Sequence, residues 1–246
     1  MRIVQISLAC LVIIALPARA NDDRARAIID EMEQLYRGES SEATITMKVE
    51  TPQYERTLKM NAQSLGRELA FFRILSPKKD RGIATLKRDE EMWNYFPKIN
   101  KVIKVPPSMM MGSWMGSDFT NDDLVKETQL IDAYDLALVE DESQYFVTLT
   151  PKAQTVTVWG KIEYVINKDP LLPAEQIFYD DDGTKVRVMT FMEPREYHGK
   201  LMPSLLEMKP LNKAGHRTLI IYDDIIFDVP KITEKTFSMR NLKSRF

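Results

Sequence analysis

The chain has 246 residues, with 34 Lys and Arg against 36 Asp and Glu, a formal net charge of −2. That near balance excludes a general nucleic-acid binder, whose affinity rests on excess positive charge. A lone cysteine, Cys10, excludes a disulfide framework, so the fold must stand on its core. The length supports a sizeable core, as one larger β domain or two small ones.

Residues 1–20 read as a signal peptide. Arg2 supplies a positive start, and Ile3 to Leu16 is apolar apart from Gln5 and Ser7. Pro17 breaks the run, and Ala18-Arg19-Ala20 fits an A-x-A cleavage site before Asn21. The run is too short to span a bilayer comfortably, and no later stretch reaches ~20 apolar residues. Cys10 sits in mid-run, with Leu11 to Leu16 still to come, whereas a lipid-anchored chain turns polar soon after its Cys. The expectation is a soluble exported product of 226 residues, with 32 basic against 36 acidic side chains and a net charge of −4.

Asp22 to Arg37 predicts the first helix. Ala27, Ile28, Met32, Leu35 and Tyr36 recur at helical spacing, and Gly38 stands just past the end. Strand character then dominates. Ala43 to Val49 alternates, with Ile45, Met47 and Val49 on one face, and Arg56 to Gln63 does the same with Leu58, Met60 and Ala62. Arg67 to Leu75 is more continuously apolar and ends at Pro77. Gly82 to Lys87 and Glu91 to Phe96 bracket the turn Arg88-Asp89-Glu90, and Ile99 to Val105 closes this half. Lys98, Lys101 and Lys104 fit either a charged strand that resists edge pairing or a contact for lipid phosphate or an acidic partner.

Pro106 to Leu124, PPSMMMGSWMGSDFTNDDL, interrupts the strands. Met is flexible and polarizable, and suits surfaces that fit variable apolar partners. Gly112 and Gly116 weaken a helix and permit unusual backbone angles. The segment reads as a pliable apolar flap or as irregular core filled with Met. Asp118 is placed to cap a short helix opening at Phe119.

Strands resume at Tyr134 to Glu140 and Gln144 to Thr150. Thr155 to Ile166 and Pro173 to Tyr179 follow, then Lys185 to Phe191 after the turn Asp180-Asp181-Asp182-Gly183. Leu201 to Pro210 and Arg217 to Asp223 complete the set, with a final piece from Ile225 to Leu242. Strands at a spacing of ~8–12 residues predict a barrel or sandwich. Their alternation implies one buried face, as in antiparallel sheets. The simplest account is one domain over residues 21–246, a continuous sheet with a short helical insert.

Chemistry is sparse. His198 and His216 stand beside Gly199 and Gly215, outside any metal-ligand spacing. There is no nucleophile elbow and no phosphate loop. Asp180 to Gly183 reads as a hairpin turn, and in the cluster Asp118, Asp122 and Asp123 a cap by Asp118 is preferred to metal binding. No enzyme, cofactor or metal is predicted. The positive signal is large apolar side chains on strands, among them Phe71, Phe72, Trp93, Tyr95, Trp159 and Phe178. They either fill a core or line a cavity, as in half-barrels.

Arg81-Gly82-Ile83-Ala84-Thr85-Leu86, Trp93-Asn94-Tyr95-Phe96-Pro97, Met115-Gly116-Ser117-Asp118-Phe119, Asp123-Leu124 and the ending Phe237-Ser238-Met239-Arg240-Asn241-Leu242 resemble the outer membrane lipoprotein-sorting protein family. These exported bacterial proteins are similar in fold to the lipoprotein carrier LolA, and the resemblance covers most of the mature chain in order. It implies a mainly β fold: an incomplete antiparallel β-barrel wrapped around an N-terminal helix and a short helical insert, enclosing an apolar cavity. It also implies a periplasmic carrier of acyl chains or lipidated protein, in transient contact with membranes and partnered by an RND/MMPL-type inner-membrane exporter. It brings no catalytic residues.

The residues expected at the cavity or flap are Met109, Met110, Met111, Trp114, Met115 and Phe119 of the insert, with Met60, Phe71, Trp93 and Tyr95 of the strands. Gly112 and Gly116 are expected to be flexible points, and Asp118 to fix local structure. The alternative is a periplasmic adaptor of an RND-type exporter that carries nothing and uses the flap as a protein contact.

Overall fold

The computed structural model describes residues 18–126 and 130–244. The apolar run expected to form the signal peptide lies outside the described residues. Its expected cut site falls in the first turn of helix α1 (Ala18–Gln34). α1 buries Ala25, Ile28, Ile29, Met32 and Leu35, the stripe expected of a core-facing helix. It ends earlier than the sequence implied, because Arg37 and Gly38 both turn back onto the Gln34 carbonyl.

From there β1 (Ser40–Glu50), β2 (Glu55–Leu65), β3 (Leu69–Ser76), β4 (Ala84–Arg88), β5 (Glu91–Phe96) and β6 (Lys101–Lys104) run as an antiparallel meander to one edge. After the insert, β7 (Tyr134–Glu140) starts at the opposite edge. β8 (Gln144–Pro151), β9 (Lys161–Lys168), β10 (Leu171–Tyr179), β11 (Lys185–Tyr197) and β12 (Lys200–Pro210) return inward to β13 (Arg217–Phe227). β13 then pairs antiparallel with β1, from Ser41 opposite Phe227 to Glu50 opposite Arg217. The result is a single thirteen-stranded antiparallel sheet among the described residues, open between β6 and β7. This is the incomplete, mainly β barrel that the sequence led us to expect.

Two strands depart furthest from their expected bounds, by six residues each, and β13 runs to Phe227, past the expected Asp223. β9 starts at Lys161, not Thr155, because Gly160 backs onto the Asp180 turn, where a Cβ would lie 2.5 Å from the Asp180 carbonyl oxygen. β11 runs on to Tyr197 despite Pro194. The pairing with β12 keeps its register but leaves out Glu193 and Ser204; Glu193 takes a left-handed φ of 52°, and its carbonyl accepts from Ser204 Oγ at 2.8 Å.

The sheet is apolar on both faces at the β2–β5 end. On the inner face, Ile45, Met47, Leu58, Met60 and Ile74 join α1 and residues of the later strands in one core. On the opposite face, Phe71, Ala84, Leu86 and Tyr95 form a second core with Val229, Ile232, Phe237 and Leu242. That outer layer is the chain after β13, including the short helix α4 (Met239–Leu242).

Candidate functional site

The inner core is not completely filled. A cavity of about 150 Å³ lies between the sheet and the insert. Ile45, Met60 and Phe72 line it from β1, β2 and β3, while Met189, Met208 and Ile220 line it from β11, β12 and β13. The two-residue period of the strands brings these side chains to one face. Trp114, Phe119, Leu124 and Leu130 cover it from the insert, the last two on α2 (Asn121–Lys126) and α3 (Leu130–Ala133). Tyr134 also faces it. Burial pushes the Tyr134 phenol above its ordinary range, and its hydroxyl donates to Thr157 Oγ1 at 3.1 Å. A second cavity of about 140 Å³ adjoins the first and shares Ile45, Phe72, Leu124, Leu206 and Tyr222 with it.

The insert is a folded strap with little helix. Trp114 to Phe119 forms a tight hairpin, with the Trp114 N–H donating to the Phe119 carbonyl at 2.8 Å and Ser117 N–H to the Trp114 carbonyl at 3.0 Å. The two central residues, Met115 and Gly116, have φ of 50° and 77°, the sign pattern of a type I′ turn. Gly116 is therefore required by a fixed turn. Gly112 sits where Asn121 Nδ2 donates to both the Met109 and Gly112 carbonyls, each at 3.1 Å. These contacts correct the expectation of two loose glycine joints: both belong to defined turns.

Asp118 does not cap the helix. α2 opens at Asn121, and a reciprocal pair between Thr120 and Asp123 caps it, with Asp123 N–H donating to Thr120 Oγ1 at 3.1 Å and Thr120 N–H to Asp123 Oδ2 at 2.7 Å. Asp118 instead ties the strap to β13: its Oδ2 accepts from Thr218 Oγ1 at 2.8 Å, and its N–H donates to the same oxygen at 2.9 Å.

Three further contacts hold the strap down. Trp114 is 4% exposed; its indole N–H donates to Thr85 Oγ1 at 3.2 Å, and its ring meets Phe72 edge-on at 5.1 Å. Arg56 donates to the Met115 carbonyl at 3.0 Å. Asp123 receives both guanidinium arms of Arg187, one of them at 2.8 Å. Arg187 is 4% exposed and lies against the rings of Trp159 at 4.3 Å and Phe178 at 4.1 Å, which themselves meet at 5.1 Å. A buried guanidinium packed on rings and paired with a carboxylate forms a strong, oriented contact.

Of the residues expected at the site, Trp114, Phe119 and Met60 line the cavity. Met115 packs against the core without lining it, and Met110 is half-buried. Met109 and Met111 point outward, 60% and 40% exposed. Phe71, Trp93 and Tyr95 do not face the cavity; they belong to the second core on the other side of the sheet. Phe72, one residue from Phe71, is the β3 ring that faces inward. Arg187 and the later-strand residues Met189, Met208 and Ile220 went unnoticed as site residues. The alternation Leu206-x-Met208 and Ile220-x-Tyr222 was the signal for them.

Among the described residues, no group of three or more His, Cys, Asp and Glu is placed to hold a metal ion, and no helix is long and apolar enough to cross a membrane.

A family model described as "Uncharacterized protein"-like matches residues 66–244. No curated protein matches the chain. Solved structures share the fold over nearly their whole length. An outer membrane lipoprotein-sorting protein domain from Vibrio parahaemolyticus, so assigned, is 22% identical with a TM-score of 0.78, covering 91% of this chain and 100% of its own. A DUF1329 family protein from Desulfovibrio piger is 20% identical with a TM-score of 0.80, covering 90% and 99%. A LolA superfamily protein from Nitrosomonas europaea is 19% identical with a TM-score of 0.72, covering 88% and 98%. The chain therefore belongs to the family that this model describes, and it shares the fold of these solved structures.

Proposed function

We propose that the protein is a periplasmic carrier. With residues 1–20 removed, residues 21–246 act as one domain that takes an acyl chain or a lipidated protein under the strap. It would receive this cargo from an RND/MMPL-type inner-membrane exporter and deliver it to the outer membrane. One observation carries the reading: an apolar cavity, on the inner face of an open barrel, roofed by a segment that bridges the two open edges.

Magnitudes favour a moving roof. Burying an acyl chain is worth ~0.8 kcal/mol per CH₂, so a chain of ~16 carbons gains on the order of 12 kcal/mol. Ligand pockets of that kind occupy roughly 300–1,000 Å³. The two adjoining cavities, of about 150 and 140 Å³, together reach only the foot of that range, so a full-length chain must lift the strap. The contacts opposing this are few: Asp123–Arg187, Asp118–Thr218, Trp114–Thr85 and Arg56 on Met115. Met109 and Met111, exposed on the strap, are placed to meet a membrane as it opens.

Native mass spectrometry of protein purified from its own periplasm, with lipid extraction, tests this. The expected result is lipid or acylated peptide bound at close to one per protein, and a marked loss of that cargo in Met208→Trp, which fills the cavity. A folded, empty protein that still binds an exporter domain would replace the carrier with the non-carrying adaptor.

A further inference from the structure

The two adjoining cavities differ in chemistry. They lie end to end along the strands: on β2 the first is lined by Met60 and the second by Ala62 and Ser64, up to four residues further, or about 13 Å. The first is apolar on its sheet side apart from Gln176 of β10. The second is also lined by Glu33, Arg37, Arg67 and Lys87. Arg67 is neutralised by Asp30 and by Glu33, whose carboxylate lies 3.4 Å from its guanidinium. With Arg37 and Lys87, the wall carries three cations against the one carboxylate of Glu33.

Lys87 is 1% exposed, and its Nζ donates to the Arg67 carbonyl at 2.6 Å. It points inward because it alternates with Ala84 and Leu86, which face the second core, and lysines are rarely buried so completely. Arg37 has one guanidinium nitrogen, Nη1, buried without a hydrogen-bond partner. A buried donor left open disfavours the empty state until something accepts from it.

We propose that this end of the cavity binds the anionic head of an acyl lipid, the phosphate or carboxylate oxygens facing Arg37 and Lys87, while the chain lies in the apolar cavity under Trp114. The inference rests on the carrier reading and narrows it: an acyl chain on a neutral amide or ester offers these cations no charge to pair with. Charge-assisted hydrogen bonds of this kind are about twice as strong as neutral ones.

The test uses the full chain and tryptophan fluorescence, since Trp114 and Trp159 both line the apolar cavity. The probes are monopalmitoyl phosphatidic acid, palmitate, monopalmitoylglycerol and inorganic phosphate. Expected is binding of the two anionic lipids about tenfold tighter than the neutral one. Inorganic phosphate should not compete. Arg37→Gln should cut the preference severalfold, with Lys87 keeping the remainder, and Arg37→Lys should retain most of it. Circular dichroism checks that each variant is folded.

Equal affinities for charged and neutral lipids in the wild type would overturn the head-group site and leave the carrier standing. A preference that survives Arg37→Gln in full would also overturn it, as would competition by inorganic phosphate alone. If no acyl probe binds, the carrier reading falls and this site with it.

Discussion

Phe71 and Phe72 are adjacent, equally apolar, and on opposite sides of the molecule: one in the outer core, the other on the cavity wall. Alternation says that they part, but only the tertiary structure says which goes where. The clue was the continuous apolar run of β3, which marks a strand covered on both faces. The outer cover is the segment after β13, which no local pattern assigns to that face. Asp118 misled for a related reason, since its carboxylate found Thr218, 100 residues away, instead of a nearby helix N-terminus. Gly160 stands inside the run Thr155 to Ile166, expected as one strand, and the structure begins the strand just after it. Its substitution by Ala is expected to destabilise the protein by about 1–3 kcal/mol, because the new methyl would meet the Asp180 carbonyl at 2.5 Å. Urea unfolding checks this, and an unchanged midpoint would mean that the Asp180 turn yields freely.

At the level of elements, most strands were legible because each carries a two-residue period and ends in turn residues. The insert was visible as an interruption, and its Met and Trp content marked it as unusual. What it hides is its fastening, because Asp123–Arg187 joins residues 64 apart and Arg187 reads as an ordinary strand cation. Asp123→Ala leaves the Arg187 charge buried against two rings without its carboxylate, a loss of roughly 3 kcal/mol if the element stays closed. Local opening is the cheaper response. Hydrogen exchange should therefore rise over residues 107–126 while β1 and β13 keep their protection. Uniform deprotection would instead assign the pair to global stability. β6 is a short edge strand carrying exposed Lys101 and Lys104, with Lys104 paired to Glu91, a pattern that discourages edge-to-edge association.

Over the whole molecule, strand spacing implied a barrel or sandwich and the family resemblance an incomplete antiparallel barrel, whereas the central pairing of β1 with β13 brings the two ends of the sheet's chain together and needed the structure. A carrier that binds only when folded gains stability from its cargo, by about 2.7 kcal/mol at a free ligand concentration a hundredfold above Kd. Delipidated protein should accordingly melt several degrees lower than protein titrated with palmitate, and identical melting curves would argue against occupancy of the cavity. The insert joins β6 to β7, so it is anchored at both free edges of the sheet. A strap lifted by cargo cannot diffuse away. Its return is a first-order step governed by the chain's own loop entropy. Resealing after delivery then proceeds at the same rate at any dilution, and only the loading step depends on meeting another molecule.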